Sequence, residues 1–204
     1  MNDVTVRDIV DKVRSYSLAV ASADDFELGP PVAVDAGSEL RAGNSWSLYT
    51  LDFRRSVAVL VGPVAPETLS EQAFVYEAQY SMAERVLSVP FDDFLTVTEG
   101  LPSSGESLVC VHSVGRCGST LLARALGRLD GVRAYSEPDF LVPLAVRVGE
   151  DDDRLERLLR AGLRCLDPSP PGVGEAVVLK PRSFCTRLAP LLKNVGAVQM
   201  FGER

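Results

Sequence analysis

The sequence is poor in the residues that build metal centres and disulfide frameworks. It contains a single histidine and four cysteines, and no two cysteines have the CxxC spacing of zinc and redox motifs. We therefore expect no metal site and reduced thiols. The sequence also lacks a run of eighteen apolar residues, and its charged start, MNDVTVRDIVDKV, does not fit a secretory leader. These absences predict a cytoplasmic protein that has no membrane partner.

Basic residues are scarce in the first half of the chain. The formal net charge is −7, and the acidic excess lies in residues 1–105, whereas residues 106–204 are slightly basic. Because nucleic-acid binding depends on the neutralisation of phosphates, this balance argues against a nucleic-acid partner. It remains compatible with a small anionic ligand in the second half.

The most informative segment runs from Leu108 to Leu122 and reads LVCVHSVGRCGSTLL. Its apolar start predicts a buried strand, and Gly115 and Gly118 allow backbone angles at which successive N–H groups face one concavity. We expect an anion to bind there, at the N-terminus of the helix that follows. The pattern predicts that the buried face of this helix consists of Leu121, Leu122, Leu126 and Leu129.

Predicted strands alternate with helices throughout the second half. The strands are expected at 108–111, 132–135, 176–179 and 197–201. This alternation predicts an α/β fold with a P-loop-type parallel sheet flanked by helices. One of the helices is expected to be capped by Ser136, with Asp139 as its third residue, and another to start at the acidic run 150–153.

A smaller α+β region is predicted to precede the parallel sheet. Its expected elements are a helix over 1–15, two adjacent strands over 45–53 and 56–62, and a helix over 69–87. The Gly/Pro/Ser-containing segment 99–106 is typical of a linker. We therefore expect two domains, 1–105 and 106–204.

Three segments of the second half place polar residues at or just beyond predicted strand ends. Gly115 to Thr120 follow the first strand, Glu137 follows the second and Lys180 follows the third. Ligands of parallel sheets bind beyond the carboxyl ends of the strands. We therefore expect these three segments to converge on one crevice.

Two kinds of phosphate chemistry compete for the turn after the first strand. A nucleoside triphosphatase requires GxxxxGK[ST], but Ser119 stands where the lysine belongs, so this chemistry is disfavoured. A cysteine-dependent phosphatase is the second possibility, because Cys110 and Arg116 have C-x5-R spacing. The alternative for Cys110 is a buried structural residue of the strand.

The segments GRCGSTLL, SEP and LKPR together resemble the sulfotransferase superfamily. Members of this family have a turn of the form [KR]-S-G-[ST]-T, in which Arg116, Gly118 and Thr120 match here and Cys117 replaces the usual serine. The resemblance implies that the turn binds the 5′-phosphosulfate of 3′-phosphoadenosine 5′-phosphosulfate (PAPS). The residues implied to bind it are Gly115, Arg116, Cys117, Gly118, Ser119 and Thr120.

The resemblance also implies catalytic roles for Arg116, Glu137 and Lys180. Glu137 lies 21 residues after Arg116, where the protein-tyrosine branch of the family has its base, and Lys180 corresponds to a further catalytic cation. The implied reaction transfers a sulfuryl group to a hydroxyl or amine of a small-molecule or peptide acceptor, without a metal. A non-catalytic anion-binding domain is the remaining alternative.

The family's site for the 3′-phosphate of PAPS is only partly present. Arg204 corresponds to the arginine of that site, but the serine expected after it lies beyond the last residue. The resemblance therefore implies an incomplete domain in a truncated chain, which could be inactive.

Overall fold

The described part of the chain forms two sheets, one antiparallel and one parallel. The computed structural model describes residues 3–14, 20–41, 46–101, 108–114, 117–167 and 175–202. The mixed α/β class and the parallel sheet of the second half agree with the sequence-based prediction. In these described ranges no helix has both the length and the apolar character that a membrane span requires.

The antiparallel sheet is formed within the first ninety residues. Its strands are β1 (Thr5–Lys12), β2 (Phe26–Leu28), β3 (Val32–Ala33), β4 (Ser47–Asp52), β5 (Val57–Gly62) and β6 (Arg85–Pro90). They lie in the order β2-β1-β6-β5-β4, and β3 also pairs with β1. The accompanying helices are α1 (Ala36–Arg41), α2 (Pro66–Ser70), α3 (Val75–Met82) and α4 (Phe91–Glu99). The predicted pairing of neighbouring strands over 45–53 and 56–62 is confirmed by β4 and β5.

The parallel sheet is formed by residues 108–202 and has the strand order β10-β7-β9-β8. These strands are β7 (Leu108–Ser113), β8 (Val132–Ser136), β9 (Ala176–Lys180) and β10 (Val198–Gly202). The helices between them are α5 (Ser119–Leu126), α6 (Leu141–Arg147), α7 (Asp152–Leu166) and α8 (Ala189–Asn194), and a 3₁₀ segment, Ser183–Leu188, precedes α8. Helix α7 starts within the acidic run 150–153, as predicted, and Asp151 caps it by accepting a hydrogen bond from the N–H of Arg154.

The predicted N-terminal helix is wrong, because those residues form strand β1. Thr5 pairs with Ser88 of β6, and Ile9 pairs with Leu28 of β2, so β1 has hydrogen-bonded neighbours on both sides. Its residues include β-branched side chains that suit an extended backbone. These distant partners outweigh a weak apolar spacing of helical type.

The predicted helix over 69–87 is also wrong in extent. It is divided into α2 and α3, and its last residues belong to β6. Val86, Leu87 and Val89 are almost completely buried, and β6 pairs with both β1 and β5. The central position of β6 in the sheet therefore determines its conformation, and its last residue, Pro90, directly precedes α4.

One apolar core joins the two sheets. It includes Leu48 and Leu87 of the antiparallel sheet, Leu158 of α7 and Leu179 of the parallel sheet. Helices α6 and α7 both contact β4, and their buried residues belong to this same core. A smaller apolar cluster around Val111 lies on the opposite face of the parallel sheet, because neighbouring residues of a strand alternate in direction.

The predicted buried face of α5 is wrong for three of its four leucines. Leu121, Leu122 and Leu129 are 74%, 41% and 57% exposed, whereas Ala123 is fully buried and Leu126 is partly buried. The helix is instead brought close to the sheet by small residues, since a Cβ on Gly127 would lie 2.9 Å from the Cβ of Ala134. This close approach through Ala123 and Gly127 turns the face of Leu121 away from the sheet. The sequence predicted a buried face of Leu121, Leu122, Leu126 and Leu129, whereas the buried residue of α5 in the structure is Ala123.

Candidate functional site

The turn after β7 leads directly into α5, as the sequence predicted. Gly118 has a φ of +81°, a left-handed conformation that glycine adopts without strain, and α5 begins at the next residue. The Ser119 hydroxyl lies 2.8 Å from the Ser113 hydroxyl and so ties the start of α5 to the end of β7. Gly115 and Arg116, two of the predicted ligand-binding residues, lie outside the described residues, and so does Arg204.

Cys117 is a partly exposed thiol at the start of α5. The backbone N–H of Ser119 donates a hydrogen bond to its sulfur and lowers the pKa of the thiol, with further help from the hydroxyls of Ser119 and Ser113. The donors at this helix start therefore favour a negatively charged atom. Thr120 is partly buried in the first turn of α5.

Glu137 and Lys180 meet at the carboxyl edge of the parallel sheet. Their strands, β8 and β9, are neighbours, and Ser136 lies opposite Lys180 in the register. The Lys180 Nζ lies 2.5 Å from Oε1 of Glu137, and the N–H of Glu137 donates to the carbonyl of Lys180 at 2.6 Å. Glu137 has a φ of +55°, an uncommon left-handed conformation for a residue other than glycine. The structure thus brings together two of the three predicted catalytic side chains.

The side chains of this pair are largely buried. The Glu137 side chain is 17% exposed and that of Lys180 is 6% exposed. An ion pair in such a position is only weakly screened by water. The pair reaches solvent mainly through Glu137.

A second ion pair, Asp139 with Arg182, lies two residues further along each chain segment. The Nε–Oδ1 and Nη2–Oδ2 distances are 2.6 and 2.9 Å, and Asp139 has no exposed surface. Burial acts to lower the pKa of Arg182, but the hydrogen bonds to Asp139 outweigh it and the pKa is raised. The prediction that Asp139 is the third residue of a helix capped by Ser136 is wrong, because Ser136 ends β8 and α6 begins at Leu141.

The N-terminal region holds this second pair in place. The N–H of Ala21 donates to Oδ2 of Asp139 at 2.9 Å, and the Arg182 guanidinium lies 4.2 Å from the centroid of the Tyr76 ring. The sequence-based prediction did not name Asp139, Arg182 or Tyr76 as residues of the site. The sequence did contain a signal for Asp139 and Arg182. Glu-Pro-Asp and Lys-Pro-Arg place charges of opposite sign at the same spacing at the ends of two predicted strands.

Cys110 lies in the core rather than at the turn. Its side chain is completely buried in β7, and burial, together with the neighbouring Cys185, raises the pKa of its thiol to about 12. A nucleophilic cysteine requires an accessible thiolate. The position of Cys110 therefore disfavours the phosphatase alternative.

His112 borders a cavity of about 410 Å³ at the carboxyl ends of β7 and β10. Its Nε2 lies 3.0 Å from Oε1 of Gln199, and its ring stacks on Phe201 at 4.8 Å. Its Nδ1 is buried and has no hydrogen-bond partner in the described part of the chain. The hydroxyls of Ser183 and Thr186 also border this cavity. In the sheet order β10-β7-β9-β8, this cavity lies on the β10 side of β7, and the Glu137–Lys180 pair lies on the other side, at the ends of β8 and β9.

Comparisons of the chain with protein-family models, with characterised proteins and with solved structures gave no match.

Proposed function

We propose that this chain is a sulfotransferase that moves a sulfuryl group from PAPS to an acceptor hydroxyl or amine. The observation that carries the proposal is the contact between Glu137 and Lys180 at the carboxyl edge of the parallel sheet. A carboxylate and an ammonium in contact, next to a glycine-containing strand–turn–helix, match the acid–base and electrostatic needs of group transfer.

The P-loop-type character of the turn belongs to this proposal. The backbone N–H groups at the start of α5, together with Arg116, would bind the phosphosulfate. A sulfuryl group carries less negative charge than a phosphoryl group, so these donors and Lys180 suffice without magnesium. The proposed sulfuryl transfer therefore does not require the lysine of the triphosphatase motif, whose place Ser119 occupies.

In the proposed reaction the acceptor oxygen attacks sulfur, and the bond between sulfur and the bridging phosphate oxygen breaks. Lys180 stabilises the negative charge that develops on the bridging oxygen. Glu137 accepts the proton of the acceptor hydroxyl, which keeps the charge in balance. Adenosine 3′,5′-bisphosphate is the other product.

The contact between Glu137 and Lys180 is present in the protein without a bound donor. Without ligand, each charge compensates the other in a largely buried position. We propose that the anionic donor takes over Lys180 and thereby frees the Glu137 carboxylate for the acceptor. The bound donor would thus create the base that the reaction needs.

The binding test measures the melting temperature of the chain with adenosine 3′,5′-bisphosphate. We expect stabilisation in the wild type, a loss of this effect in Arg116→Ala and Lys180→Ala, and an unchanged effect in Lys193→Ala, which removes an exposed lysine of α8. Absence of a shift in the wild type would contradict the proposal.

The activity test separates the proposed chemistry from its alternatives. With PAPS and a panel of phenols, tyrosine peptides and amines, we expect Glu137→Gln to bind the bisphosphate but to transfer no sulfate. Binding without transfer in the wild type would instead indicate a non-catalytic anion-binding domain. Hydrolysis of p-nitrophenyl phosphate that Cys110→Ser abolishes would indicate the phosphatase.

A further inference from the structure

A second concave surface lies in the N-terminal region, away from the Glu137–Lys180 pair. It is a groove of about 800 Å³ between one face of the antiparallel sheet and the segment 23–31. Val57, Val59 and Val86 form an apolar floor, and each is less than one-tenth exposed. The groove is large enough for a ligand of several heavy-atom groups, not only for an inorganic ion.

Three polar side chains of the sheet face this groove together: Thr5, Arg7 and Ser88. Thr5 and Ser88 are directly opposite each other in the β1–β6 pair, and Arg7 lies two residues from Thr5 on the same face. Side chains directly opposite in such a pair have Cβ atoms about 5 Å apart. Two hydroxyls and one guanidinium are therefore within reach of a single ligand group.

The side chains of Arg7, Thr5 and Ser88 have no hydrogen-bond, ion-pair or ring partner among the residues that the structure describes. All three side chains are partly exposed and border the groove. Every guanidinium N–H is a donor, and a hydroxyl can donate as well. The three side chains thus offer convergent donors that lack an acceptor.

The charged residues of the groove lining are three arginines and two aspartates: Arg7, Arg54, Arg55, Asp3 and Asp24. Asp24 pairs with both Arg54 and Arg55, and Asp52 also pairs with Arg55, so Arg7 is the cation that the groove offers to a ligand. The acceptor that best matches a guanidinium and two hydroxyls is an oxyanion.

We propose that this groove binds an organic oxyanion, whose sulfate, phosphate or carboxylate group contacts Arg7, Thr5 and Ser88. The apolar body of the ligand lies on the floor formed by the three valines. This site is separate from the proposed sulfuryl-transfer site and does not depend on it.

The test is a ¹H–¹⁵N NMR titration of the full chain with phenyl sulfate, phenyl phosphate and benzoate, with inorganic sulfate as the head group alone. The titration is repeated with Lys180→Ala, so that shifts caused by an anion site near Lys180 are recognised by their loss. We expect the aromatic anions to shift the amides of Thr5, Arg7 and Ser88, and to bind at least about tenfold more tightly than inorganic sulfate. The preferred head group distinguishes the three oxyanion classes.

Arg7→Gln is expected to weaken binding at least about tenfold, because hydrogen bonds to a charged group are lost. Arg157→Gln is the control, since it removes an exposed arginine of α7 that lies outside the groove. Ser88→Ala, which keeps Arg7, is a second variant in case Arg7→Gln does not fold, and it should weaken binding severalfold.

Unshifted amides at Thr5, Arg7 and Ser88, or equal affinity of wild type and Arg7→Gln, would overturn the proposal. Binding of inorganic sulfate as tight as that of the aromatic anions would also contradict it, because the valine floor would then contribute nothing. Shifts of the groove amides that persist in Lys180→Ala would support the groove whatever the outcome for the sulfotransferase proposal.

Discussion

The Asp139 carboxylate accepts two hydrogen bonds from Arg182 in a position without solvent exposure. Removing one partner of such a pair leaves an uncompensated buried charge. We therefore expect Arg182→Leu to lower the free energy of unfolding by about 3–5 kcal/mol in urea denaturation. Arg54→Leu is the control, because its pair with Asp24 is exposed and should contribute about 1 kcal/mol or less.

The double variant Asp139→Leu, Arg182→Leu completes this cycle. If the loss in Arg182→Leu comes from the stranded carboxylate, the double variant should be more stable than Arg182→Leu. Equal losses of unfolding free energy in Arg182→Leu and Arg54→Leu would show that the buried pair contributes no more to stability than the exposed pair.

Gly162 of α7 should not tolerate a side chain. A Cβ at this position would lie 2.5 Å from Cε2 of the buried Phe140 ring and 3.0 Å from Leu48. We expect Gly162→Ala to destabilise the fold by about 1–3 kcal/mol through overpacking, although alanine favours the helix. Gly100→Ala is the matched control, because the nearest atom is the Val97 carbonyl oxygen at 3.8 Å. A stabilised Gly162→Ala in thermal denaturation would contradict the crowding.

His112 should make stability depend on pH between about 7.5 and 5.5. Burial lowers the pKa of His112 below 6.5, although the hydrogen bond to Gln199 acts in the opposite direction. The unfolded chain therefore takes up a proton before the folded chain does, so stability is full above pH 6.5 and falls as the pH drops below it. His112→Gln should remove this component.

Urea denaturation of both proteins at several pH values measures it. His112 is the single histidine of the chain, so the difference between wild type and variant isolates one group. A difference that stays constant from pH 7.5 to 5.5 would show that the folded and unfolded chains bind this proton equally.

Cys117 should be the one rapidly reacting thiol in the folded protein. Burial raises the pKa of Cys110, Cys165 and Cys185 to about 12, whereas the hydrogen bond from the Ser119 N–H lowers that of Cys117. Modification by a coloured disulfide reagent at pH 7.5 should show a single fast phase, and Cys117→Ser should remove it. A fast phase that persists in this variant would mean that a buried cysteine becomes accessible.

The sequence was sufficient for the elements whose signals are local. The apolar runs of β7 and β9 are bounded by turn residues, and parallel strands between helices place their carboxyl ends on one edge. The meeting of Glu137 and Lys180 follows from that rule together with the adjacency of β8 and β9.

The elements that sequence reasoning missed depend on distant partners. Asp139 has the local appearance of a helix-start residue, but one of its partners, Ala21, is 118 positions away. Strand β1 likewise acquires its conformation from Ser88 and Leu28, which no short window of sequence contains. Local spacing cannot report such contacts.

The apolar core that runs from β4 through α7 to β9 has a consequence for cooperativity. Because buried residues of both sheets, of α6 and of α7 belong to one cluster, loss of one sheet would expose apolar surface that the rest of the core now covers. Heat should therefore melt both in a single calorimetric transition, with equal calorimetric and van't Hoff enthalpies. The whole described chain, rather than either half, would then unfold as one cooperative unit.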